Sequence, residues 1–235
     1  GLALRGRRPV VHALASFLTM RAFEFIRTDV GLPGLPVVLV GYVPGVLSEA
    51  NGPTHQALED VALMRGIPGF EVYAPADQAE LAAALPALVE RGRPCYVRYT
   101  GAPAAAPHLR FEAGRAELLR AGDGQVAILT YGVLVREALR AADRLAASGL
   151  RARVVHLRTL APLDEAQVLE AAQAGLLVTL EDHFGHGGLY TLVAETLLRH
   201  ERTARCLPLG FDARWFQPGL LDDVLEHEGL AGARV

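Results

Sequence analysis

Only two cysteines occur in 235 residues, and each lies in an apolar run, Pro94-Cys95-Tyr96-Val97 and Cys206-Leu207-Pro208-Leu209. Such placement argues against a disulfide framework and for buried free thiols, as in a reducing cytoplasm. A basic excess is also missing: the net charge is -3, which leaves no surplus cations to neutralise a nucleic-acid backbone. No apolar run reaches the ~18 residues of a membrane span. The longest candidate, 35–47, is broken by Pro36, Gly41, Pro44 and Gly45. No G-x-G-x-x-G turn follows a strand, which counts against a dinucleotide-binding module. No basic-apolar-small leader pattern opens the chain. Instead Gly1-Leu2-Ala3-Leu4 reads as the end of a helix already under way, so the sequence is expected to begin inside a domain.

The chain is 51% hydrophobic and 21% charged, enough to bury the core of one large or two small globular domains. Short β-branched runs alternate with helical patterns. Strands are expected at 9–12, 37–41, 70–73 and 95–99, and helices at 17–27, 56–65 and 77–91. Thr54 is placed to cap the second of these helices, and Asp77 with Glu80 forms a capping box for the third. The Pro- and Gly-rich stretch 101–107 then interrupts any regular element and begins a linker.

A second series follows, with strands at 126–130, 152–157, 176–180 and 206–209. Its helices are expected at 133–147, 164–172, 189–199 and 220–228, with Gly149 as a helix-terminating glycine and Asp164 with Gln167 as a capping box. The expected fold is α/β: two domains, each a mainly parallel sheet flanked by helices, over 1–105 and 125–235 with a linker at 106–124.

In open α/β sheets, ligands bind beyond the carboxyl ends of the strands. The long loop 42–54 follows such a strand and carries Ser48, Glu49, Asn51 and Thr54, with His55 next to it. A surface loop that caps the next helix and a functional loop are both open readings of this stretch. Asp182-His183-Phe184-Gly185-His186 brings two histidines close in sequence, a weak metal signal.

The run Ser48-Glu49-Ala50-Asn51-Gly52-Pro53-Thr54-His55-Gln56 resembles the "GEDGPTHQ" loop of transketolases and is also similar to that of deoxyxylulose-phosphate synthases. Ser16 to Phe23 with Ile26-Arg27 resembles the family's strand-to-helix region. The stretch 154–164 (VVHLRTLAPLD) and Glu181-Asp182-His183 look like the C-terminal domain shared with the β-subunits of 2-oxoacid dehydrogenases. The resemblance runs in order along nearly the whole chain.

This resemblance implies a pyrimidine-binding domain, N-terminally incomplete, followed by a transketolase C-terminal domain. It implies thiamine diphosphate as cofactor, with Mg2+ or Ca2+ bound by a partner, since nothing here resembles the family's diphosphate domain. The implied partner is an N-terminal, diphosphate-binding subunit in an α2β2 heterotetramer. Phe17 takes the place of the aromatic that packs on the aminopyrimidine, and Leu14 stands where many relatives have a second Phe. His55 takes the place of the substrate-facing, proton-shuttling histidine, and Asn51 replaces the loop aspartate as a substrate contact. The family's proton-relay glutamate precedes the stretch that begins this chain.

Gly101 falls where sugar-phosphate enzymes carry an arginine, and the segment 41–44 lacks their histidine. Arg98 is close, but strand alternation points it elsewhere. The implied activity is transfer of a two-carbon ketol unit from a ketose-type donor to an acceptor; either the donor is other than an ordinary pentose phosphate, or its phosphate is bound elsewhere. Two other readings stand beside it: a 2-oxoacid dehydrogenase β-like subunit that passes an acyl unit to a carrier, and a non-catalytic partner-binding paralogue.

Overall fold

Apolar runs long enough to be covered on both faces become parallel strands, and the amphipathic runs between them become the covering helices. In the computed structural model, residues 1–108 and 110–235 are described. The first sheet has the order β1-β2-β4-β3-β8, made of β1 Val10–Leu14, β2 Val38–Tyr42, β3 Glu71–Tyr73, β4 Cys95–Tyr99 and β8 Thr159–Ala161. All its pairings are parallel except β3 with β8. The second has the order β10-β9-β6-β7-β5, made of β5 Glu117–Arg120, β6 Val126–Thr130, β7 Arg153–His156, β9 Leu176–Phe184 and β10 Cys206–Phe211. Here only β5 with β7 is antiparallel. Two mainly parallel sheets flanked by helices are thus observed as expected.

β2 shows how two-sided burial reads in sequence. Val38 and Val40 pack with Ala84 and Leu88 of helix α3 (Gln78–Arg91), while Leu39 faces Val61 and Met64 of α2 (Asp60–Arg65). The cluster around Leu39 continues into the second sheet through Leu129, Val155, Leu157 and Leu177. One apolar core therefore joins both sheets, and β8 crosses over to extend the first. The stretch 106–124, expected as a linker, carries β5 and buries Phe111 against Tyr73, with ring centroids 6.0 Å apart.

Several helices depart from expectation for local reasons. The expected helix 17–27 is broken into wide turns at Phe17–Arg21 and Ile26–Gly31 around α1 (Phe23–Phe25), with i→i+5 bonds such as Ala22 N to Phe17 O at 3.1 Å. Threonine hydroxyls occupy i−4 carbonyls there, Thr19 Oγ1 to Ala15 O at 2.9 Å and Thr28 Oγ1 to Glu24 O at 2.8 Å, which opens the ladder. Thr54 does not cap the following helix. Ala57 is held in a bridge with Gly45, so the backbone stays extended and α2 begins only at Asp60. The Asp77 cap forms, accepting from Ala79 N and Glu80 N at 2.9 and 3.0 Å. At α5 (Glu165–Ala171), Asp164 accepts from Gln167 N at 3.2 Å. Gly1–Arg5 contains a single turn, Ala3–Arg5, closed by Gly6 at φ 76. Both cysteines are free: Cys95 is buried, which pushes its thiol up to about 12, and Cys206 is half-buried. Among the described residues no helix is long and apolar enough to cross a membrane.

Two buried ionic networks join the halves of the chain. In the first, Arg98 of β4 donates from Nε to Asp60 Oδ2 at 2.8 Å and from Nη1 to Asp182 Oδ1 of β9 at 2.5 Å. Tyr96 donates to the same Asp60 oxygen at 2.7 Å. In the second, Glu80 of α3 meets His156 of β7 at 2.8 Å and Arg158 at 2.9 Å. His108 there contacts Asp77 at 2.7 Å and Glu117 at 2.8 Å. Burial alone would raise the Glu80 carboxyl, but the charge and hydrogen bond of His156, with Arg158, hold it down at about 2. Burial alone would lower His108, but its bonds to Glu117 and Asp77 prevail and raise it.

Both networks generate expectations. Replacing Arg98 by Leu leaves two buried carboxylates unpaired and should cost about 3–5 kcal/mol, read as a lower urea midpoint. His108, whose folded pKa lies above its unfolded value, stabilises fully below pH ~6.5 and loses that contribution as pH rises through the raised value. The Tm gap between the parent chain and His108→Gln should therefore be about 3–8 °C at pH 6 and shrink toward pH 9 in scanning calorimetry. A gap that widens with pH would refute the assignment.

Candidate functional site

The carboxyl ends of β1 and β2 open onto two segments, the wide helical turn at Phe17–Arg21 and the loop 43–59. Phe17, three residues past the end of β1, is half-buried, and so is His55. The fold brings their rings to 5.2 Å between centroids at 55°. Arg21 completes the group. Its guanidinium carbon lies 3.9 Å from the centroid of the Phe17 ring, and Nη2 donates to Thr54 O at 3.2 Å. The wide turn carries Arg21 over Phe17. Its place four residues after Phe17 is the sequence signal of a shared helix face.

His55 Nδ1 lies 2.8 Å from Thr54 Oγ1. Among the described residues this is the ring's one hydrogen bond, so Nε2 is left to meet a ligand. Asn51 is exposed, and its Nδ2 donates to Ser48 Oγ at 3.3 Å. It lies on the same loop as His55 but is not in the Phe17–His55–Arg21 group. The loop itself is held under strain. Val43 adopts φ 48, a left-handed conformation that costs a β-branched residue about 1–3 kcal/mol.

Gly101 is exposed and contributes only its carbonyl, which accepts from Gln78 Nε2 at 2.8 Å. Arg98 is sealed in the Asp60–Asp182 pair, so it is unable to serve a substrate anion, in line with the alternation argument. A second aromatic group joins His12, in the middle of β1, to Tyr42 and Tyr99, the last residues of β2 and β4, with centroids 5.5–6.2 Å apart.

The Glu181-Asp182-His183 motif is structural. Glu181 accepts from Tyr190 N at 2.9 Å and from Leu189 N at 2.6 Å, at the start of α6 (Leu189–Arg199), and burial raises its carboxyl to about 7. Burial lowers His183 to about 4, so it is neutral. Its Nδ1–H donates to Phe184 O at 2.8 Å, and Nε2 accepts from Ala62 N at 3.4 Å. His186 stacks on Phe184 instead, with centroids 5.8 Å apart. No metal pair forms there. Among the described residues the one group with metal-compatible spacing is Glu80, His108 and Glu117, whose ligand atoms are already paired with Arg158, Asp77, His156 and one another.

The fold and the motifs agree with the comparisons. Residues 1–102 match the pyrimidine binding domain of transketolase and residues 114–235 its C-terminal domain. The chain is 41% identical over 201 residues to the 6-deoxy-6-sulfo-D-fructose transketolase subunit SqwH of Clostridium sp. (strain MSTE9), covering 84% of this chain and 62% of that protein. It is 38% identical over 218 residues to the 1-deoxy-D-xylulose-5-phosphate synthase of Synechococcus sp. (strain WH7803), covering 89% of this chain and 33% of that one. Among solved structures it resembles a split gene transketolase, an inactive beta4 tetramer, with TM-score 0.89, 35% identity and coverage of 99% and 75%. The likeness to Campylobacter jejuni transketolase, with TM-score 0.77 at 18% identity, supports the fold alone. The chain belongs to the transketolase family, a thiamine-diphosphate-dependent group, and carries its pyrimidine-binding and C-terminal domains. It spans 62% of the length of the first of these relatives.

Proposed function

We propose that the chain is the C-terminal subunit of a split, thiamine-diphosphate-dependent transketolase-like enzyme. It moves a two-carbon ketol unit from a ketose-type donor to an acceptor. The observation that carries the reading is the meeting of Phe17 and His55 from two different segments at the carboxyl end of the first sheet. The domain division 1–105, linker 106–124 and 125–235 belongs to the same proposal.

The residues present fit the aminopyrimidine half of the cofactor. Phe17 offers an aromatic face for a flat heterocycle. His55 offers a ring nitrogen able to donate to or accept from a carbonyl or hydroxyl oxygen of the donor. Asn51, exposed on the same loop, offers an amide to a sugar hydroxyl. The metal and diphosphate half does not fit, because the described metal-compatible donors are engaged with Arg158 and with each other. Mg2+ or Ca2+ therefore falls to an N-terminal, diphosphate-binding partner, in an α2β2 heterotetramer within the cytoplasm. The relative described as an inactive tetramer of beta chains supports the need for that partner.

When bound, the cofactor supplies the electron sink for cleaving the bond next to a ketone. This chain holds the pyrimidine ring on Phe17 and moves protons through His55. Glycine at position 101 and the absence of a histidine from 41–44 leave no cation in these loops for a terminal phosphate. The relative that bears a sulfonated ketose in its name is consistent with a different terminus. The same absence favours the 2-oxoacid reading as the second choice.

The test is reconstitution with a diphosphate-domain partner, thiamine diphosphate and Mg2+, followed by single-turnover cleavage of ketose donors and of 2-oxoacids. Ketose cleavage is expected, and turnover of 2-oxoacids alone would establish the second reading. His55→Ala should lower kcat by about 10²–10⁴ with little change in Tm. Phe17→Ala should weaken cofactor binding about tenfold, read by titration calorimetry.

A further inference from the structure

The loop that carries His55 is gripped by the second half of the chain at both ends and at its middle. Near its start, Gly45 presses on Asp182 so closely that a Cβ there would lie 2.3 Å from Oδ2. Near its end, Phe184 N donates to Leu58 O at 2.9 Å. Both contacts come from β9. The middle of the loop is gripped separately, by the segment ahead of helix α7 (Leu221–His227). Glu49 Oε1 accepts from Leu221 N at 3.0 Å, and Glu49 O accepts from Gly219 N at 3.0 Å. Pro218 packs on Gly52, where a Cβ would sit 3.1 Å from its Cγ and where φ is +65.

The β9 contacts hold only the two ends. Just ahead of the first of them, Val43 stays in a left-handed conformation that relaxes unless the surroundings impose it. Among the described residues Glu49 is the one side chain of the loop that bonds to the backbone of the C-terminal segment, and it stands six residues before His55. His55 then reaches the Phe17 ring from the next turn, with Arg21 fastened to Thr54 O.

We propose that Glu49 is a positioning residue, through which the segment 218–221 sets the His55 loop against Phe17. The functional consequence rests on the reading of Phe17 and His55 given above; the coupling itself does not. The role gives the C-terminal half a direct effect on chemistry carried out in the first half.

The purified full chain tests the coupling by hydrogen exchange. Glu49→Ala should speed exchange of amides in 45–58 about tenfold and leave β6 unchanged. Glu49→Gln keeps an acceptor for Leu221 N and should restore protection. Pro218→Ala, which removes the ring contact with Gly52, should loosen the same segment to a smaller extent and covers the case in which Glu49→Ala does not fold. No change in 45–58, or an equal change throughout the chain, would overturn the coupling. In the reconstituted enzyme, Glu49→Ala should lower kcat about tenfold with KM and cofactor affinity held, and Glu49→Gln should rescue it. Faster exchange with unchanged kcat would overturn the positioning role. If His55→Ala is also without effect, the site reading fails while the coupling stands.

Discussion

Arg98 is buried at the junction of the two sheets, where a lone guanidinium would be prohibitively costly, so it is paired on both sides. Asp60 comes from the first residue of α2 and Asp182 from β9, so the ion pairs tie a helix start in one half to a strand in the other. The consequences spread outward from this contact. Asp60 fixes where α2 can begin, which leaves 55–59 outside the helix. Asp182 fills the space above Gly45, which sets the course of the loop leaving β2. Burial makes the pairing obligatory rather than strongly stabilising in net terms, and its value lies in register.

That register decides what the site can be. Phe17 and His55 are separated by the whole of β2 and its loop, and neither touches the C-terminal half directly through a bond described here. Their meeting depends on a loop held at its ends by β9 and at its middle by the segment before α7. The C-terminal half therefore acts as a frame for the His55 loop as well as a second sheet. The network of Glu80, His108, Glu117, His156 and Arg158 serves a similar structural end on the other side, joining α3 to β5 and β7. Its chemistry differs, because His108, raised by its bonds to Glu117 and Asp77, adds pH sensitivity.

Most strands were legible because two-sided burial leaves a continuous apolar signature: 95–99 and 126–130 coincide with β4 and β6. β5 and β8 were not legible. Both are short antiparallel edge strands whose identity comes from the neighbour they pair with, β7 and β3, and not from their own periodicity. The helix after β1 was read in position but not in kind, since threonine back-bonding widened its turns. Phe17, His55 and Asn51 were singled out through motif resemblance. Glu49 was legible only as one polar residue of the loop and Arg21 only as part of the strand-to-helix run, because spacing alone does not disclose their contacts with Phe17, Thr54 and Leu221.

By itself the sequence determined the alternation of elements, the two mainly parallel sheets, the family and the loop on which the site is built. These follow from local propensity, hydrophobic period and motif order, all of which are written along the chain. Only the tertiary structure decided that the two halves share one core, that Arg98 and the Glu181–His183 motif are structural, and that Glu49 reaches across to Leu221. The physical reason is desolvation. Whether a charged side chain serves a ligand or a neighbour depends on what is buried beside it, and that is fixed only when distant segments pack together.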